Sequence, residues 1–344
     1  MTHPTPGAPS APTLDDTGIP LYDVAIVGGG TAGLSAALWL ARYLHSVVVV
    51  DSGDPRNWET RGINGFLGLP GIRPAELRGL GREECRKHGV ELIDGVVLCV
   101  SRRAEEHFEL QLEGGKRVAG RRLLLAIGIK DVWPDIPGLE HIYGDRAHVC
   151  PDCDGYEATG KKTVVIGKGR RAVGMALTLT TWTRDLIVCT NGRDAELTDE
   201  YCSKLTALQI PVIEEPITRI NFREGELRSL VFDGREPLGC EQIFFTIGQY
   251  PSDDLGVQLG CDRDDEGHVI VDEHYHTTVR NVYAAGDLVP GPQLAICAAS
   301  DGAIAALAIH KSLVPGTRKL EPRNGDRGRG TDKEQGVGAA TSGR

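Results

Sequence analysis

Apolar residues in this chain gather into short runs of strand length. They are residues 22–27 (YDVAIV), Ser46–Val50, Leu123–Gly128 (LLLAIG), Thr163–Ile166, Leu186–Cys189, Ile243–Gly248 (IFFTIG) and Asn281–Ala285. Three of them meet a glycine-bearing turn and then a helix-like stretch: LSAALWLARYL after the first, VGMALTLTTW after the fourth, and a segment from about Gln293 to Leu313 after the last. Strand, turn and helix in that order predict an α/β chain built on parallel sheets. At 344 residues there is room for two domains, each with its own core.

The first turn reads Gly28-Gly29-Gly30-Thr31-Ala32-Gly33, and the strand after its helix ends at Asp51. This is the order of a dinucleotide-binding unit. Gly28 permits the tight turn, Gly30 lets the backbone approach a pyrophosphate, and Gly33 lets the helix pack closely on the strand. The helix start offers free N–H groups to phosphates. Asp51 is placed to accept hydrogen bonds from ribose hydroxyls, which favours an unphosphorylated ribose, as in FAD or NAD.

A second unit repeats the architecture about 140 residues later, with the turn Gly167-Lys168-Gly169-Arg170-Arg171-Ala172. Here Gly167, Gly169 and Ala172 take the three small positions. The next strand ends in Thr190-Asn191-Gly192-Arg193, with no acid for a 2′-hydroxyl and Arg193 as the one basic candidate for a 2′-phosphate. Lys168, Arg170 and Arg171 can attract phosphates or crowd their path. Nicotinamide binding at this turn therefore stays open.

Just ahead of the second unit lies Cys150-Pro151-Asp152-Cys153-Asp154-Gly155-Tyr156-Glu157. A structural zinc site needs a second pair of ligands, and none is spaced for it, so no metal is expected. Two-residue spacing around a proline is the pattern of a reversible disulfide, with one thiol made acidic at a helix start. The other seven cysteines are scattered and are expected in the core.

The segment Val282-Tyr283-Ala284-Ala285-Gly286-Asp287 resembles the second FAD fingerprint of the flavoprotein reductases with two dinucleotide domains. That resemblance places Asp287 at the ribityl and phosphate region of FAD, with Gly286 giving close backbone approach. The strands ending at Gly128 and Gly248 resemble those that return from each nucleotide domain. Taken together, the FAD turn, CxxC-Asp-Gly, the second glycine turn and YAAGD resemble the low-molecular-weight thioredoxin reductase family over about residues 21–315. The implied fold is two Rossmann-like three-layer domains, the second inserted into the first. Residues 21–137 and 265–315 would bind FAD, and 138–264 would form the NAD(P)H-binding-like domain that carries the cysteines.

The same resemblance assigns Cys153 to the flavin, Cys150 to exchange with a disulfide substrate, and Asp154 to acid/base work. Gln293 and Asn64 would also contact the flavin. A thioredoxin-like protein would be the partner, NADPH the family's usual donor, and the family usually forms homodimers. The segments Asp51–Asn57, GFLGLPGIRPAEL and GYE resemble a sister branch of dithiol oxidases that pass electrons to oxygen, together with relatives that take electrons from ferredoxin. Many of those oxidases carry His after the second cysteine, whereas Asp154 points back to the reductases.

A net charge of −10 with no basic stripe argues against a nucleic-acid partner. No apolar run opens the chain or approaches the length of a membrane span, so no membrane association and a reduced, cytoplasmic setting are expected. Residues 1–20 and 316–344, rich in Pro, Ser, Gly and charge, are expected to be disordered tails.

Overall fold

The computed structural model describes residues 10–56, 58, 60–103, 107–223 and 226–320. The chain runs through β1 (Thr13–Leu14), β2 (Pro20–Val27), α1 (Thr31–Arg42), β3 (Val47–Asp51), α2 (Pro74–Lys87), β4 (Glu91–Asp94), β5 (Val97–Arg103), β6 (His107–Leu112) and β7 (Arg117–Leu125). It crosses by β8 (Ile129–Val132) to β9 (Ala147–His148), α3 (Pro151–Asp154), β10 (Thr163–Gly167), α4 (Gly169–Leu179), β11 (Leu186–Cys189), α5 (Asp199–Ala207) and β12 (Val212–Ile213). Next come β13 (Ile217–Arg223), β14 (Glu226–Phe232), β15 (Leu238–Gly239) and β16 (Gln242–Thr246). It returns by β17 (Gly248–Pro251), α6 (Leu255–Gln258), β18 (Val282–Ala284) and α7 (Ala295–Leu313).

The first sheet runs β4-β3-β2-β7-β6-β5, with β1 antiparallel to β2 and β18 parallel to β7. Successive side chains of a strand point to opposite faces, so a sheet covered on both sides needs apolar residues at every position. Val24, Ile26, Val47 and Val49 pack toward α1 and α7. Ala25, Val27, Val48 and Val50 pack toward Val100, Phe108, Leu110 and Val269. The second sheet, β12-β11-β10-β16-β9, is parallel throughout. Its Val165, Val188 and Phe244 face α4 and α5, and its Val164, Ile187 and Phe245 face the antiparallel β13-β14-β15. Both units are therefore three-layered α/β domains, the second inserted into the first.

The crossing is a two-stranded ribbon in which β8 and β17 pair antiparallel, Ile129 against Pro251 and Val132 against Gly248. Leu255 and Cys261 pack in the first core. Gln258 accepts a hydrogen bond from the Val100 N–H at 3.1 Å. The stretch 252–264, assigned from the sequence to the second domain, thus belongs with the first, because the chain has already recrossed at β17.

The expected N-terminal tail is also shorter than residues 1–20. The Asp15 carboxylate accepts the N–H groups of Thr17 and Ile19, both at 2.8 Å. Ile19 is buried, and β1 extends β2. At the other end, Gly316–Arg318 forms a short 3₁₀ turn. Residues 1–9 and 321–344 of the expected tails lie outside the described residues.

One helix departs from the expectation about membranes: α7, with 19 residues, has the length and apolarity to cross one. Here it lies on α1 so closely that a Cβ on Gly302 would fall 2.0 Å from the Ala32 carbonyl oxygen. The cysteine expectation holds for Cys85, Cys189, Cys240 and Cys261, which are buried, whereas Cys99 and Cys202 are exposed. Burial pushes the Cys85 thiol up to about 11 and those of Cys189 and Cys240 to about 12, so they stay protonated and inert.

Asp23 ties β2 to the β3 side of the sheet. The His45 imidazole beside it holds its carboxyl well below the ordinary range, against burial and with help from the Ser46 N–H and hydroxyl. A depressed folded-state pKa stabilises the fold above the unfolded carboxylate's pKa, and the contribution is lost as pH falls. Asp23→Asn should therefore lower the melting temperature at neutral pH and flatten its decline below about pH 4. An acid limb identical to that of the parent protein would remove Asp23 from this role.

Candidate active site

The residues singled out in the sequence meet around one cavity of about 1090 Å³. Its walls include Gly28, Gly30, Ala32, Asp51, Asn64, Gly128, Cys150, Cys153, Asp154, Gly286, Asp287 and Gln293. Gly33 lies behind the wall, and Gly167, Gly169 and Ala172 lie elsewhere, in the second unit.

The first glycine turn has the shape the chemistry asks for. A Cβ on Gly28, where φ is +103°, would fall 2.2 Å from the Ala126 carbonyl oxygen, and one on Gly33 would fall 1.9 Å from that of Gly28. Both positions therefore exclude any side chain. Gly30 differs, for a Cβ there meets nothing within 4 Å. It also stands at the N-cap of α1 with no side chain capping the helix. The helix start thus opens on free space with free N–H groups, which is an anion site in the making. Asp51 sits beside Gly29 at the end of β3. Burial disfavours its charge, but Arg78 and the Gly53 N–H hold its carboxyl below the usual range, and Arg82 adds a contact at 3.1 Å. It stays an acceptor.

Asp287 and Gln293 were expected at the flavin. The structure ties them to a residue that the sequence reading did not single out, Arg56. Its guanidinium grips Asp131 of β8 through two bonds of 2.6 and 2.8 Å. Its third nitrogen reaches Asp287 at 3.1 Å and Gln293 at 2.8 Å. Gln249 of β17 closes the ring, donating to Asp131 at 2.9 Å and exchanging bonds with Gln293. Burial raises the Asp287 carboxyl, opposed by Arg56. Arg56 therefore links the wall of the cavity to both strands of the crossing. No local sequence signal marks it, because its partners lie 75 to 237 positions away.

The cysteine turn faces the same space. Cys150 and Cys153 are joined in a disulfide. Cys150 caps α3, its sulfur accepting the Cys153 N–H at 3.1 Å. Gly155 is required just after, since a Cβ there would fall 2.4 Å from the ring of Trp182. Asn64, from the first unit, reaches toward the Cys153 carbonyl and Asp154 Oδ1, both at 3.5 Å. Asp154 lies 3.4 Å from Nδ1 of the buried His148.

The second glycine turn is built differently. The Gly169 N–H donates to the Ala195 carbonyl at 2.9 Å. Lys168 is paired with Glu196, and the Glu196 carboxylate stands 3.1 Å from where a Cβ on Gly169 would be. Loop 190–197 thus packs the Ala195 carbonyl and the Lys168–Glu196 ion pair against this turn.

A flavin dinucleotide fits the first cavity: it offers the open helix start, the acceptor at the end of β3, and a length that reaches the cysteines. The residues match the model of the pyridine nucleotide-disulphide oxidoreductases over positions 22–302. The chain belongs to this family, on its low-molecular-weight, thioredoxin-reductase-like branch, and is an FAD-dependent oxidoreductase. It is 30% identical to the thioredoxin reductase of Helicobacter pylori strain J99, over 84% of this chain and 98% of that one. It is 31% identical to the thioredoxin reductase tcpT of Claviceps purpurea, over 78% of this chain and 86% of the relative. The solved structure of HlmI superposes with a TM-score of 0.81 at 35% identity, covering 88% of this chain and 94% of that one.

The two glycines give separable outcomes. Gly30→Ala should leave the melting temperature of the apoprotein unchanged while weakening FAD uptake at least tenfold, about 1.4 kcal/mol. Gly33→Ala should destabilise the apoprotein itself. Flavin titration with thermal melts checks both, and equal effects of the two substitutions would contradict the geometry.

Proposed function

We propose that this enzyme exchanges electrons between FAD and a dithiol/disulfide substrate through Cys150 and Cys153, with Asp154 as acid/base. The substrate is a thioredoxin-like protein, and the donor is one other than NADPH. The observation that carries the reading is the shared cavity, in which the disulfide turn and the dinucleotide turn line one space. FAD, when bound, supplies a two-electron carrier. The chain's residues supply the rest. The thiolate of Cys150 attacks a substrate disulfide to form a mixed disulfide. Cys153 then attacks the sulfur of Cys150, which re-forms the internal bond and releases the substrate as a dithiol. Asp154 delivers the proton that a leaving thiolate needs.

The relatives named as thioredoxin reductases support a protein disulfide as substrate. So does the mouth of the cavity, where Tyr156 is 76% exposed and Leu67, next to the lining residue Phe66, is 91% exposed. The donor reading rests on loop 190–197: the Lys168–Glu196 ion pair lies against the second glycine turn, and the Gly169 N–H is already used. The same blocked turn favours a second reading, in which a small dithiol reduces the enzyme through Cys150 and oxygen takes the electrons. Trp39 of α1 and Ile304 and Leu307 of α7 are exposed apolar residues, which supports a homodimer.

Anaerobic mixing of the FAD-loaded protein with single reductants tests the reading by flavin absorbance. Dithiothreitol should bleach the flavin, and NADPH should not. Bleaching by reduced ferredoxin identifies a reductase fed by that class of donor. Dithiol bleaching that reverses in air with peroxide release identifies the oxidase. Rapid bleaching by NADPH would contradict the donor assignment, and failure of dithiothreitol would contradict the cysteine relay.

A further inference from the structure

The acid/base residue has a neighbour that the relay above does not use. His148 ends β9 and is 5% exposed, its ring lying 5.2 Å from that of Phe244. Its Nδ1 stands 3.4 Å from Asp154 Oδ2, and its Nε2 lies 3.2 Å from the side-chain amide of Gln242 on β16. A buried imidazole between a carboxylate and an amide is an arrangement that fixes a proton's position.

Hydrogen-bond accounting decides which nitrogen carries it. A neutral imidazole has one N–H and one lone pair. As placed, Gln242 presents Oε1 to His148 and leaves Nε2 buried with no partner. An orphaned buried N–H costs roughly 1–3 kcal/mol, and the two ends of an amide are distinguished only by their partners. Turning the amide end for end gives Nε2 the imidazole lone pair as acceptor. The imidazole proton must then sit on Nδ1, the nitrogen 3.4 Å from Asp154 Oδ2. Gln242 thereby sets the tautomer, and the tautomer puts the imidazole proton on the side of the carboxylate.

We propose that His148, held by Gln242, is the positioning residue for Asp154, orienting its carboxyl and stabilising it after the proton has left. This rests on the reading of Asp154 as the acid/base of the Cys150–Cys153 pair. Two electrons and one proton open the disulfide to one thiol and one thiolate. The electrons come from the donor through FAD, and the proton comes from the Asp154 carboxyl. The carboxylate that remains accepts the Nδ1–H of His148 and is reprotonated when the pair closes again. Asp154 is the titratable group beside the imidazole at 3.4 Å, with Gln242 on β16 and the Phe244 ring also against it. On the far side of Asp154 stands the neutral Asn64.

The test is the pH dependence of flavin bleaching by dithiothreitol, followed by stopped flow in the FAD-loaded protein. Asp154→Asn should remove one inflection from the profile. His148→Phe keeps the ring's bulk but lacks the donor, so it should slow bleaching about tenfold and move that inflection up by about one pH unit. His148→Asn, whose amide nitrogen sits where Nδ1 was, should recover much of the rate. Gln242→Leu should shift the inflection in the same direction by less, and it serves if His148→Phe does not fold. Combining His148→Phe with Asp154→Asn should be no slower than Asp154→Asn alone. A folded, flavin-loaded His148→Phe protein with the parent's rate and inflection, or a strictly additive double variant, would overturn the proposal while leaving the cysteine relay intact. A parent protein that dithiothreitol cannot bleach would overturn the relay and this inference with it.

Discussion

Electrons pass between a disulfide and a flavin only when sulfur comes against the isoalloxazine, so the orientation of one domain on the other is the constraint on which everything else rests. Two features hold that orientation here. One is the ribbon of β8 and β17, through which the chain leaves the first domain and returns. The other is Arg56, whose guanidinium joins Asp131 of the ribbon to Asp287 and Gln293 of the cavity wall. A guanidinium that is 16% exposed, with three partners, is costly to leave unpaired, so this cluster fixes the ribbon against the cavity wall. The cavity wall and the ribbon are one electrostatic unit.

The two glycine turns show how one architecture can be open in one place and filled in another. In the first, the space beside Gly30 is empty and the start of α1 is uncapped. In the second, Ala195 takes the backbone donor and Glu196 sets a carboxylate over Gly169. Both turns support their strands and helices in the same way, so the fold is preserved whether or not a nucleotide binds.

Much of this was legible in the sequence where the signal is local. Largely apolar runs placed β2, β10, β11 and β16, since strands covered on both faces keep few polar positions. Gly28 and Gly33 could be read because each meets a neighbouring carbonyl that no side chain could tolerate. Features built from distant residues were hidden. Arg56, His148 and Glu196 look like ordinary polar residues until the fold brings Asp131, Asp154 and Gly169 to them. The recrossing at β17 was hidden too, because a ribbon of two four-residue strands carries no periodicity, and the end of the insert was placed too late. Lys168 read as a charge that either attracts phosphates or crowds their path, and the fold pairs it with Glu196.

In the proposed function Cys153 lies against bound FAD while Cys150 faces the substrate. The visible spectrum of a FAD-loaded Cys150→Ser variant at neutral pH measures this most directly. The freed Cys153 thiolate should donate charge to the oxidised flavin and give a long-wavelength absorption band that disappears on acidification. If that band is missing in Cys150→Ser and present instead in Cys153→Ser, the order of the two sulfurs is the reverse of the one described. If neither variant shows it, the cysteine turn does not reach the flavin.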